Sequence, residues 1–338
     1  MSFLKRRSVL GAIAASPLLS VLPAWAETNL KISHQFPGGT INEGDFRDRL
    51  CRMFAAEVEK RTKGDLKFTV YPGSSLMKTV AQFSAMRKGA LDLSLVPLSY
   101  AGGEVPEVNI GLMPGLVPSY EVGYAWKNAE IGKALTKLLE DKGIVLVSWI
   151  WQAGGMASRG NPVINPEDAK GMKIRGGSRE MDLILKAAGA AVVSLPSNEI
   201  YAAMQTGAMD AALTSSTSLI SFRLEEVSKA LTTGRGKSYW FMFEPLMMSK
   251  AVFDRLTKEQ QAAVMAVGAE LEQFALKSAR MDDNQVASVY QKVGAKVVDL
   301  NDATVKKWQA IARDTAWKDY AAKNENCAKL LSLAEKML

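Results

Sequence analysis

The sequence predicts an α/β protein of two lobes, with a ligand cleft between the lobes and a long helix that braces both. Three observations support this. The chain carries two similar runs of alternating strands and helices, two long apolar segments able to cross between lobes, and a proline-free helical region from Leu256 to the end. Of 338 residues, about 310 remain after the export signal described next, too many for one small core.

Residues 1–26 have the three parts of a secretory signal: "KRR" at 5–7, an apolar stretch from Ser8 to Trp25, and "AWA" at 24–26. Two prolines interrupt the apolar stretch and no charged stop-transfer flank follows, which disfavours a membrane anchor. We expect a mature periplasmic chain that starts at Glu27. Arg6 and Arg7 also fit a twin-arginine signal, so the general and the twin-arginine export routes both remain open.

Charge and composition exclude few classes, but they disfavour nucleic-acid binding. The chain has 42 basic and 35 acidic residues, and loss of the three basic signal residues lowers the net charge from +7 to +4. This mild, evenly spread charge is not that of a nucleic-acid-binding surface. Cys51 and Cys327 are the only cysteines. They either pair in the oxidising periplasm or remain two separately buried thiols.

The first run of alternating elements starts at Leu30. "LKIS" and "LKFTVYP" have strand character, and "DFRDRLCRMFAAEVEKRTKG" between them has helical periodicity up to Gly64. A second helix near 78–88 leads into "LDLSLVPL". The predicted order is strand, helix, strand, helix, strand.

The second run starts at "MKIR" (172–175) and continues through a helix near 178–188, "AAVVSLP", a helix near 197–206, and "MDAALT". Residues 85–95 and 203–213 agree at six of eleven positions. In each copy a glycine (Gly89, Gly207) suits a left-handed helix end, and an aspartate (Asp92, Asp210) precedes a strand. Two such lobes facing one another bring the carboxyl ends of both sets of strands to one cleft.

Two apolar segments, 142–151 and 238–249, are predicted to cross between the lobes, the first as one long buried strand. Thr257 and Gln260 then form a capping box for a helix that reaches about Lys292, roughly 50 Å long. We therefore expect lobe I at 27–149, with a returning segment near 243–275. Lobe II is expected at 150–242, with part of the region 276–338.

Catalytic motifs are weak, and the sequence does not predict an enzyme or a cofactor. His34 is the only histidine, which excludes HExxH zinc sites, and we expect it to have a structural role. No Walker motif, GxGxxG or metal-spaced cysteine pair occurs. Ser75 and Lys78 have the SxxK spacing of acyl-transfer enzymes, but the SDN-like and KTG-like partner motifs are missing.

Arg175 is the strongest binding candidate. It ends an apolar strand of the second run, and Gly176 and Gly177 follow, which would let the backbone approach a ligand. A helix that starts near Ser178 would add free N–H groups and the positive end of its dipole. All three features favour an anion, and a guanidinium matches a carboxylate in two parallel hydrogen bonds. From this stretch alone, a salt-bridged arginine at a sheet edge remains open.

The segment "INPEDAKGMKIRGG", followed by "LKAAGAAVVSLPSNEIYAAMQTGAMDA", resembles the signature region of the solute receptors of TRAP transporters, the DctP-type family. The segments "VYPGSSL", "RKGALDLSLV" and "SKAVFDRLTKEQQAAV" fit as well, so the resemblance covers about Leu30 to Val264. It implies the two-lobed periplasmic binding protein fold and a receptor, not an enzyme. Such a receptor delivers an organic acid to a sodium-driven permease, and the position matching Arg175 clamps the carboxylate.

The resemblance implies further site residues. The second arginine of sialic acid-binding members falls on Gly155, and the family's asparagine falls on Thr214, with Ser215 beside it. Gln152 and Glu244 match two residues that hold a cation in 2-oxo-acid receptors. The tryptophan that completes that set falls on Leu213 or Thr214, so we expect no metal.

Glu244 is then expected to pair with a cationic group or to meet a ligand hydroxyl, because a free carboxylate would repel an acid. Five aromatic side chains are candidates for lining the pocket: Phe36, Tyr100, Trp151, Trp240 and Phe243. One clamp beside several aromatics favours a compact monocarboxylate with an apolar or aromatic body.

Two other receptor roles remain open at this stage. The chain could serve an ATP-driven (ABC) importer, or it could be the ligand-sensing subunit of a membrane sensor kinase. In each role we expect a monomer whose partners are a small carboxylate and a membrane protein, without nucleic acid.

Overall fold

The computed structural model describes residues 28–338. The predicted export signal at 1–26 lies outside the described residues. The strands are β1 (Thr28–His34), β2 (Leu66–Tyr71), β3 (Leu93–Leu95), β4 (Ile144–Ser148), β5 (Trp151–Gln152), β6 (Gly154–Ser158), β7 (Lys173–Arg175), β8 (Ala191–Val193), β9 (Ala211–Ser215), β10 (Ala230–Thr233), β11 (Met242–Phe243), β12 (Leu246–Ser249) and β13 (Lys296–Asp299).

The α-helices are α1 (Phe46–Arg61), α2 (Gln82–Arg87), α3 (Tyr120–Ala125), α4 (Glu130–Asp141), α5 (Arg179–Ala187), α6 (Ile200–Gln205), α7 (Ser216–Ser221), α8 (Lys250–Phe253), α9 (Lys258–Lys292), α10 (Asp302–Ala312), α11 (Lys318–Ala321) and α12 (Glu325–Glu335). A π-helical turn, Arg313–Trp317, joins α10 to α11. The 3₁₀ turns are Thr79–Ala81, Leu98–Ala101, Pro106–Leu112, Trp126–Asn128, Pro166–Ala169, Ser197–Glu199 and Leu224–Val227.

The two predicted runs form two sheets of related topology. Lobe I has the strand order β2-β1-β3-β12-β4, and lobe II has the order β13-β10-β6-β9-β7-β8. In lobe I, β1 lies parallel to and between β2 and β3. In lobe II, β7 lies in the same way between β8 and β9. The predicted α/β fold of two lobes is confirmed.

The local similarity between the runs extends to their hydrogen bonds. Gly89 and Gly207 follow α2 and α6 with φ of +70° and +76°, as the sequence predicts. Asp92 Oδ2 accepts the backbone N–H of Lys31 at 2.8 Å, and Asp210 Oδ2 accepts that of Lys173 at 2.8 Å. Each aspartate thus fixes the first strand of its run against the turn before the third.

The predicted single strand at 142–151 is wrong in detail. β4 ends at Ser148 in the lobe I sheet, and β5 and β6 follow separately, with β6 in lobe II. The chain has to leave one sheet before it joins the other, so the strand breaks at Trp149 and Ile150. β5 pairs antiparallel with β11 from the second crossing segment. We call this two-stranded sheet between the lobes the hinge ribbon.

The bracing helix forms as predicted. α9 has 35 residues, which is about 52 Å at 1.5 Å per residue. Thr257 Oγ1 accepts the N–H of Gln260 at 3.2 Å, and Gln260 Oε1 accepts the N–H of Thr257 at 3.0 Å. The helix contacts α1 and β4 of lobe I and α7, β10 and β13 of lobe II.

The C-terminal helices contact both lobes. α10 packs against α5, and α12 packs against α4 and the turn at 106–112. The strands assign 28–95, 144–148 and 246–249 to the lobe I sheet. The exact residues at which each lobe ends within α9 to α12 stay a prediction.

Several candidate reactive groups have structural positions. His34 is fully buried, its Nε2 lies 3.0 Å from Asp48 Oδ1, and its Nδ1 accepts the N–H of Phe36, which is the structural role expected. Cys51 and Cys327 are buried free thiols, so the disulfide alternative is wrong. Ser75 and Lys78 are both exposed, which does not suit a paired nucleophile and base.

Neither a membrane-spanning helix nor a metal-binding cluster was found in the described part of the chain. None of the helices in residues 28–338 is both long and apolar enough to cross a bilayer. Within the same residues, no group of three or more histidine, cysteine, aspartate or glutamate side chains lies close enough together to hold a metal ion.

Candidate functional site

Arg175 lies at the carboxyl end of β7, with 4% of its surface exposed. Its Nε donates to Leu195 O at 3.0 Å, Nη1 donates to Leu213 O at 2.7 Å, and Nη2 donates to the Tyr100 hydroxyl at 2.8 Å. A guanidinium has five N–H groups. The three bonds to described residues therefore fix its orientation and leave one N–H on each of Nη1 and Nη2.

Tyr100 connects the two lobes at this point. It belongs to the 3₁₀ turn Leu98–Ala101 of lobe I, and its hydroxyl oxygen also accepts the backbone N–H of Ser197 of lobe II at 3.0 Å. Because the oxygen accepts from both Arg175 and Ser197, the proton of the hydroxyl remains for another acceptor. By this count, three N–H or O–H groups of Arg175 and Tyr100 are not used in the bonds described above.

The glycines after Arg175 leave room for the arginine itself and not, as we expected, for a ligand. Gly177 has φ of +91°, and a Cβ there would lie 2.7 Å from Arg175 Nη1. A Cβ at Gly176 would lie 2.6 Å from Asp182 Oδ1. Both spaces are therefore filled by neighbouring side chains, and the guanidinium can fold back over its own turn only because Gly177 lacks a side chain.

Gly177→Ala is expected to displace the guanidinium and weaken carboxylate binding about tenfold to 100-fold, the effect of losing one charge-assisted hydrogen bond. Gly171→Ala is the matched control, since Gly171 also has a positive φ, +76°, but has nothing within 4 Å of its missing Cβ. Both variants should lose similar stability from the strained backbone. Calorimetric titration would contradict this prediction if the two variants bound equally well.

The helix after Arg175 offers fewer free N–H groups than the sequence suggested. Ser178 Oγ caps α5 by accepting the N–H of Met181 at 3.1 Å, and it donates to Leu112 O of lobe I at 3.3 Å. The first turn also carries Glu180 and Asp182. The end of α5 therefore joins the two lobes, and its acidic first turn does not favour an anion there.

A cavity of about 470 Å³ opens between the lobes beside this arrangement. Tyr100 and Leu195, two of the partners of Arg175, line this cavity, whereas Arg175 itself lies behind them and is not among the lining residues. Others come from both lobes: Val80, Ser99 and Asn109 from lobe I, and Ser178, Ser194 and Glu199 from lobe II. The cavity is large enough for a small organic molecule.

Thr214 and Ser215 lie at the end of β9, directly after the carbonyl that Arg175 contacts. Thr214 is 4% exposed and pairs with Gly155 of β6 across the sheet. Ser215 Oγ caps α7, where it accepts the N–H of Ser218 at 3.2 Å. The hydroxyl of Ser215 therefore already serves as a helix cap, whereas Thr214 directly follows Leu213, whose carbonyl accepts from Arg175.

The structure contains a second buried arginine, Arg47, that the sequence analysis missed. Its side chain is fully buried, and Nε and Nη2 bind both oxygens of Asp45 at 2.9 and 2.7 Å. Nη1 donates to Glu244 Oε2 at 3.2 Å and to Ser218 Oγ at 3.1 Å. Its Cζ lies 3.6 Å from the centre of the Phe36 ring. Arg47 thus links helix α1 of lobe I, the hinge and helix α7 of lobe II.

Gln152 and Glu244 come together at the hinge ribbon. Gln152 Nε2 donates to Glu244 Oε2, the same oxygen that Arg47 contacts. Burial raises the pKa of Glu244 to about 7, although Arg47 beside it favours the charged form. Glu244 Oε1 and Gln152 Oε1 have no hydrogen-bond partner among the described residues. Glu244 was expected either to pair with a cationic group or to meet a ligand hydroxyl, and the structure shows the pairing, with Arg47.

Most of the five candidate aromatic residues pack against other side chains. The rings of Trp151 and Phe243 lie 5.0 Å apart, and they pack on Trp126 and Trp149 respectively. Trp240 is 2% exposed and lies against Gly154. Phe36 stacks under Arg47, which leaves Tyr100 as the one of these five that contacts Arg175.

Comparisons with known proteins give one consistent family. The model of bacterial extracellular solute-binding proteins, family 7 (DctP), matches residues 40–324. A solute-binding protein of Albidiferax ferrireducens is 74% identical over 339 residues, covering 99% of this chain and 100% of that protein. The C4-dicarboxylate-binding periplasmic protein DctP of Rhodobacter capsulatus is 25% identical over 295 residues, covering 85% of this chain and 86% of that protein.

Solved structures agree with this result. A TRAP periplasmic solute-binding protein from Rhodoferax ferrireducens, with bound malonate, has 77% sequence identity and a TM-score of 0.90. That match covers 91% of this chain and 98% of the other. A Bordetella pertussis extracytoplasmic solute receptor that binds pyroglutamic acid shares the fold, with a TM-score of 0.81 at 24% identity over 91% of this chain and 99% of the other.

Proposed function

Because the chain belongs to the DctP family of bacterial extracellular solute-binding proteins, we propose that it captures a small carboxylate between its lobes and delivers it to a sodium-driven TRAP permease. Members of this family are periplasmic transport receptors and not enzymes. The family match does not favour the alternative of an ABC importer. A sensor-kinase role has no observation in its favour, and the monomeric state stays a prediction.

The arrangement of Arg175 carries the proposal for the binding chemistry. Its guanidinium is held by two backbone carbonyls and the Tyr100 hydroxyl, with one N–H left on each terminal nitrogen. These two groups form the planar fork that a carboxylate accepts. Little rotational freedom remains to be lost on binding, because the guanidinium is already oriented.

The expected energy of this contact is a large part of a typical affinity. Charge-assisted hydrogen bonds contribute roughly 1.5 to 3 kcal/mol each, and a micromolar affinity corresponds to about 8 kcal/mol. Two such bonds from Arg175 account for about half of it. The hydroxyl proton of Tyr100 and the hydroxyl of Thr214 are the other polar groups that we propose for ligand contact.

We propose that closure of the lobes supplies the rest of the binding free energy. Five hydrogen bonds of side chains cross between the lobes near the cavity, in addition to that of Ser178 with Leu112: Tyr100 with Arg175 and with Ser197, Ser99 with Gly177, Thr79 with Asn198, and Asn109 with Glu180. A ligand that bridges the lobes favours this closed form, and about 5.5 kcal/mol of differential binding moves a 1:99 population to 99:1.

Arg47 has a different proposed role from Arg175. Asp45, Glu244 and Ser218 take up four of its five N–H groups, which leaves no pair of donors for a carboxylate, so we propose that it does not clamp a second one. It instead neutralises Glu244, which would otherwise repel an acid. The positive charge of Arg47 beside Glu244 is the reason we propose that no metal cation takes part at the hinge. We propose that Gln152, Ser215 and the hinge aromatics Trp151, Trp240 and Phe243 support the buried contact of Arg47 with Phe36 and do not touch the ligand directly.

A ligand screen tests the proposed function. Malonate, a dicarboxylate, is the first probe because the 77% identical structure contains it. Branched 2-oxo acids and arylcarboxylates test our preference for a compact monocarboxylate. At 100 times its dissociation constant a ligand adds about 2.7 kcal/mol of stability, or several degrees of Tm. We expect at least one acid to produce this shift, whereas its neutral amide does not. Equal shifts with acid and amide, or none with any acid, would contradict the proposal.

A further inference from the structure

A buried carboxyl group lies between the two lobes, away from Arg47 and the hinge ribbon. Glu180 is in the first turn of α5 in lobe II and is fully buried, and Asn109 of the lobe I turn Pro106–Leu112 is 1% exposed. Asn109 Nδ2 donates to Glu180 Oε1 at 3.0 Å across the boundary between the lobes. We call Glu180 and Asn109 the seam pair.

The other oxygen of each residue in the seam pair is an acceptor, and a hydrogen bond between these two oxygens would require a proton on one of them. Glu180 Oε2 and Asn109 Oδ1 are buried acceptors without a hydrogen-bond partner among the described residues. Their two groups are already joined through Glu180 Oε1 and Asn109 Nδ2. If Oε2 carries a proton, Glu180 can donate a hydrogen bond to the amide oxygen of Asn109. The neutral acid therefore fits this position, whereas a buried carboxylate with an unpaired oxygen is costly.

Nearby charges compensate an ionised Glu180 only in part. Arg179 and Lys323, the two cations whose charges act on Glu180, both form ion pairs with Asp319 at 2.9 Å. The titratable groups that face Glu180 from its own helix, the lobe I turn and the C-terminal helices are Arg179, Glu107, Tyr320, Lys323 and Cys327. Burial raises the pKa of Glu180 to about 7, although a hydrogen bond from its own backbone N–H, the hydrogen bond from Asn109 and the charges of Lys323 and Arg179 lower it.

We propose that Glu180 takes up a proton when the lobes close, so that ligand capture is coupled to protonation of the seam pair. This inference rests on the ligand-driven closure of the proposed function. Opening separates Asn109 from Glu180 and admits water to the carboxyl group, which then ionises as an ordinary glutamic acid. Closure reverses both steps, and the proton comes from the solvent.

The direction in which ligand affinity changes with pH follows from the different pKa of Glu180 in the closed and open forms. The closed form holds the proton up to a pH of about 7, and the open form releases it near the ordinary value of 4.5. Closure therefore takes up close to one proton near pH 6. Ligand affinity should fall as the pH rises through this window, by at most about tenfold per pH unit. Above about pH 8 the contribution of Glu180 should be nearly constant.

Calorimetric titration with malonate tests the inference. Titrations between pH 5.5 and 8 in pairs of buffers with different ionisation enthalpies give the number of protons taken up. Glu180→Gln should remain folded and bind, because a glutamine amide supplies the same acceptor and a donor in place of the acid proton. Its proton uptake near pH 6 should be smaller by close to one, and its affinity should fall less with pH. The titration of malonate itself is common to both proteins and cancels.

The controls separate this inference from the proposed function. Glu167→Gln removes an exposed carboxyl of lobe II that is not among the residues lining the cavity, and it should take up as many protons on binding as the unmodified protein does. Equal proton uptake by the unmodified protein and by Glu180→Gln would overturn the inference. If malonate binds neither the unmodified protein nor Glu180→Gln, the proposed function fails for this acid.

The protonation of Glu180 can then be tested without a ligand, in a protein whose lobes are locked closed by a disulfide between Thr79→Cys and Asn198→Cys. Carboxyl-carbon NMR measures the titration of Glu180 in this locked protein. Glu180 should titrate near pH 7, and titration near 4.5 would overturn the inference.

Discussion

Arg175→Ala is expected to weaken malonate binding by at least about 100-fold while the protein remains folded. The variant loses both N–H groups of the open fork, and two charge-assisted bonds contribute roughly 3 to 6 kcal/mol. It also removes the donor from the carbonyls of Leu195 and Leu213, so we expect a stability loss of about 1 to 3 kcal/mol. Calorimetric titration and thermal melting measure the two effects separately.

Arg175→Lys is the informative companion variant. It keeps the positive charge, but an ammonium group cannot bind two carbonyls and a hydroxyl while it also presents a planar fork. We expect it to recover less than half of the lost binding free energy. If lysine restored the affinity fully, a general positive charge would suffice, and the orientation of the guanidinium would have no role in recognition.

Arg47→Met is expected to have the largest effect on stability, about 3 to 5 kcal/mol. The substitution leaves Asp45 and Glu244 buried without their cation, and it removes the guanidinium that stacks on Phe36. The loss should be smaller at pH 5.5 than at pH 8, since a buried carboxyl that loses its cation takes up a proton more readily. Urea unfolding at both pH values measures the difference.

Glu244→Gln provides the control for this prediction. Alone it leaves the bidentate contact of Arg47 with Asp45 in place, so we expect a loss below about 2 kcal/mol. In combination with Arg47→Met it removes one of the two uncompensated charges and should recover part of the lost stability. A strictly additive double variant would show that Arg47 and Glu244 do not interact, contrary to the contact described above.

The elements predicted well were those set by local patterns. The start of α9 follows from the capping box of Thr257 and Gln260, and its length follows from the absence of proline. The two sheets follow from the repeated runs, and Gly89 and Gly207 mark helix ends in both. Arg175 was identifiable because a charged side chain at the end of a buried strand needs partners.

The features that the sequence did not show depend on tertiary contacts. Arg47 lies near Arg49 and Arg52 in an amphipathic helix, and only the approach of α7 and the hinge ribbon buries it. The break between β4 and β5 occurs because the chain has to enter a second sheet, which apolar composition does not reveal. Gly177 was recognised as important, but the group that fills its missing side-chain space is the arginine two residues before it.

A crystal structure of the protein with malonate tests the central claim most directly. The account predicts closed lobes with the two oxygens of one carboxylate group within roughly 3 Å of Nη1 and Nη2 of Arg175. The bonds of this arginine to Leu195, Leu213 and Tyr100 should remain unchanged. A malonate carboxylate bound to Arg47, or anywhere else in the cleft with the fork of Arg175 still open, would contradict it.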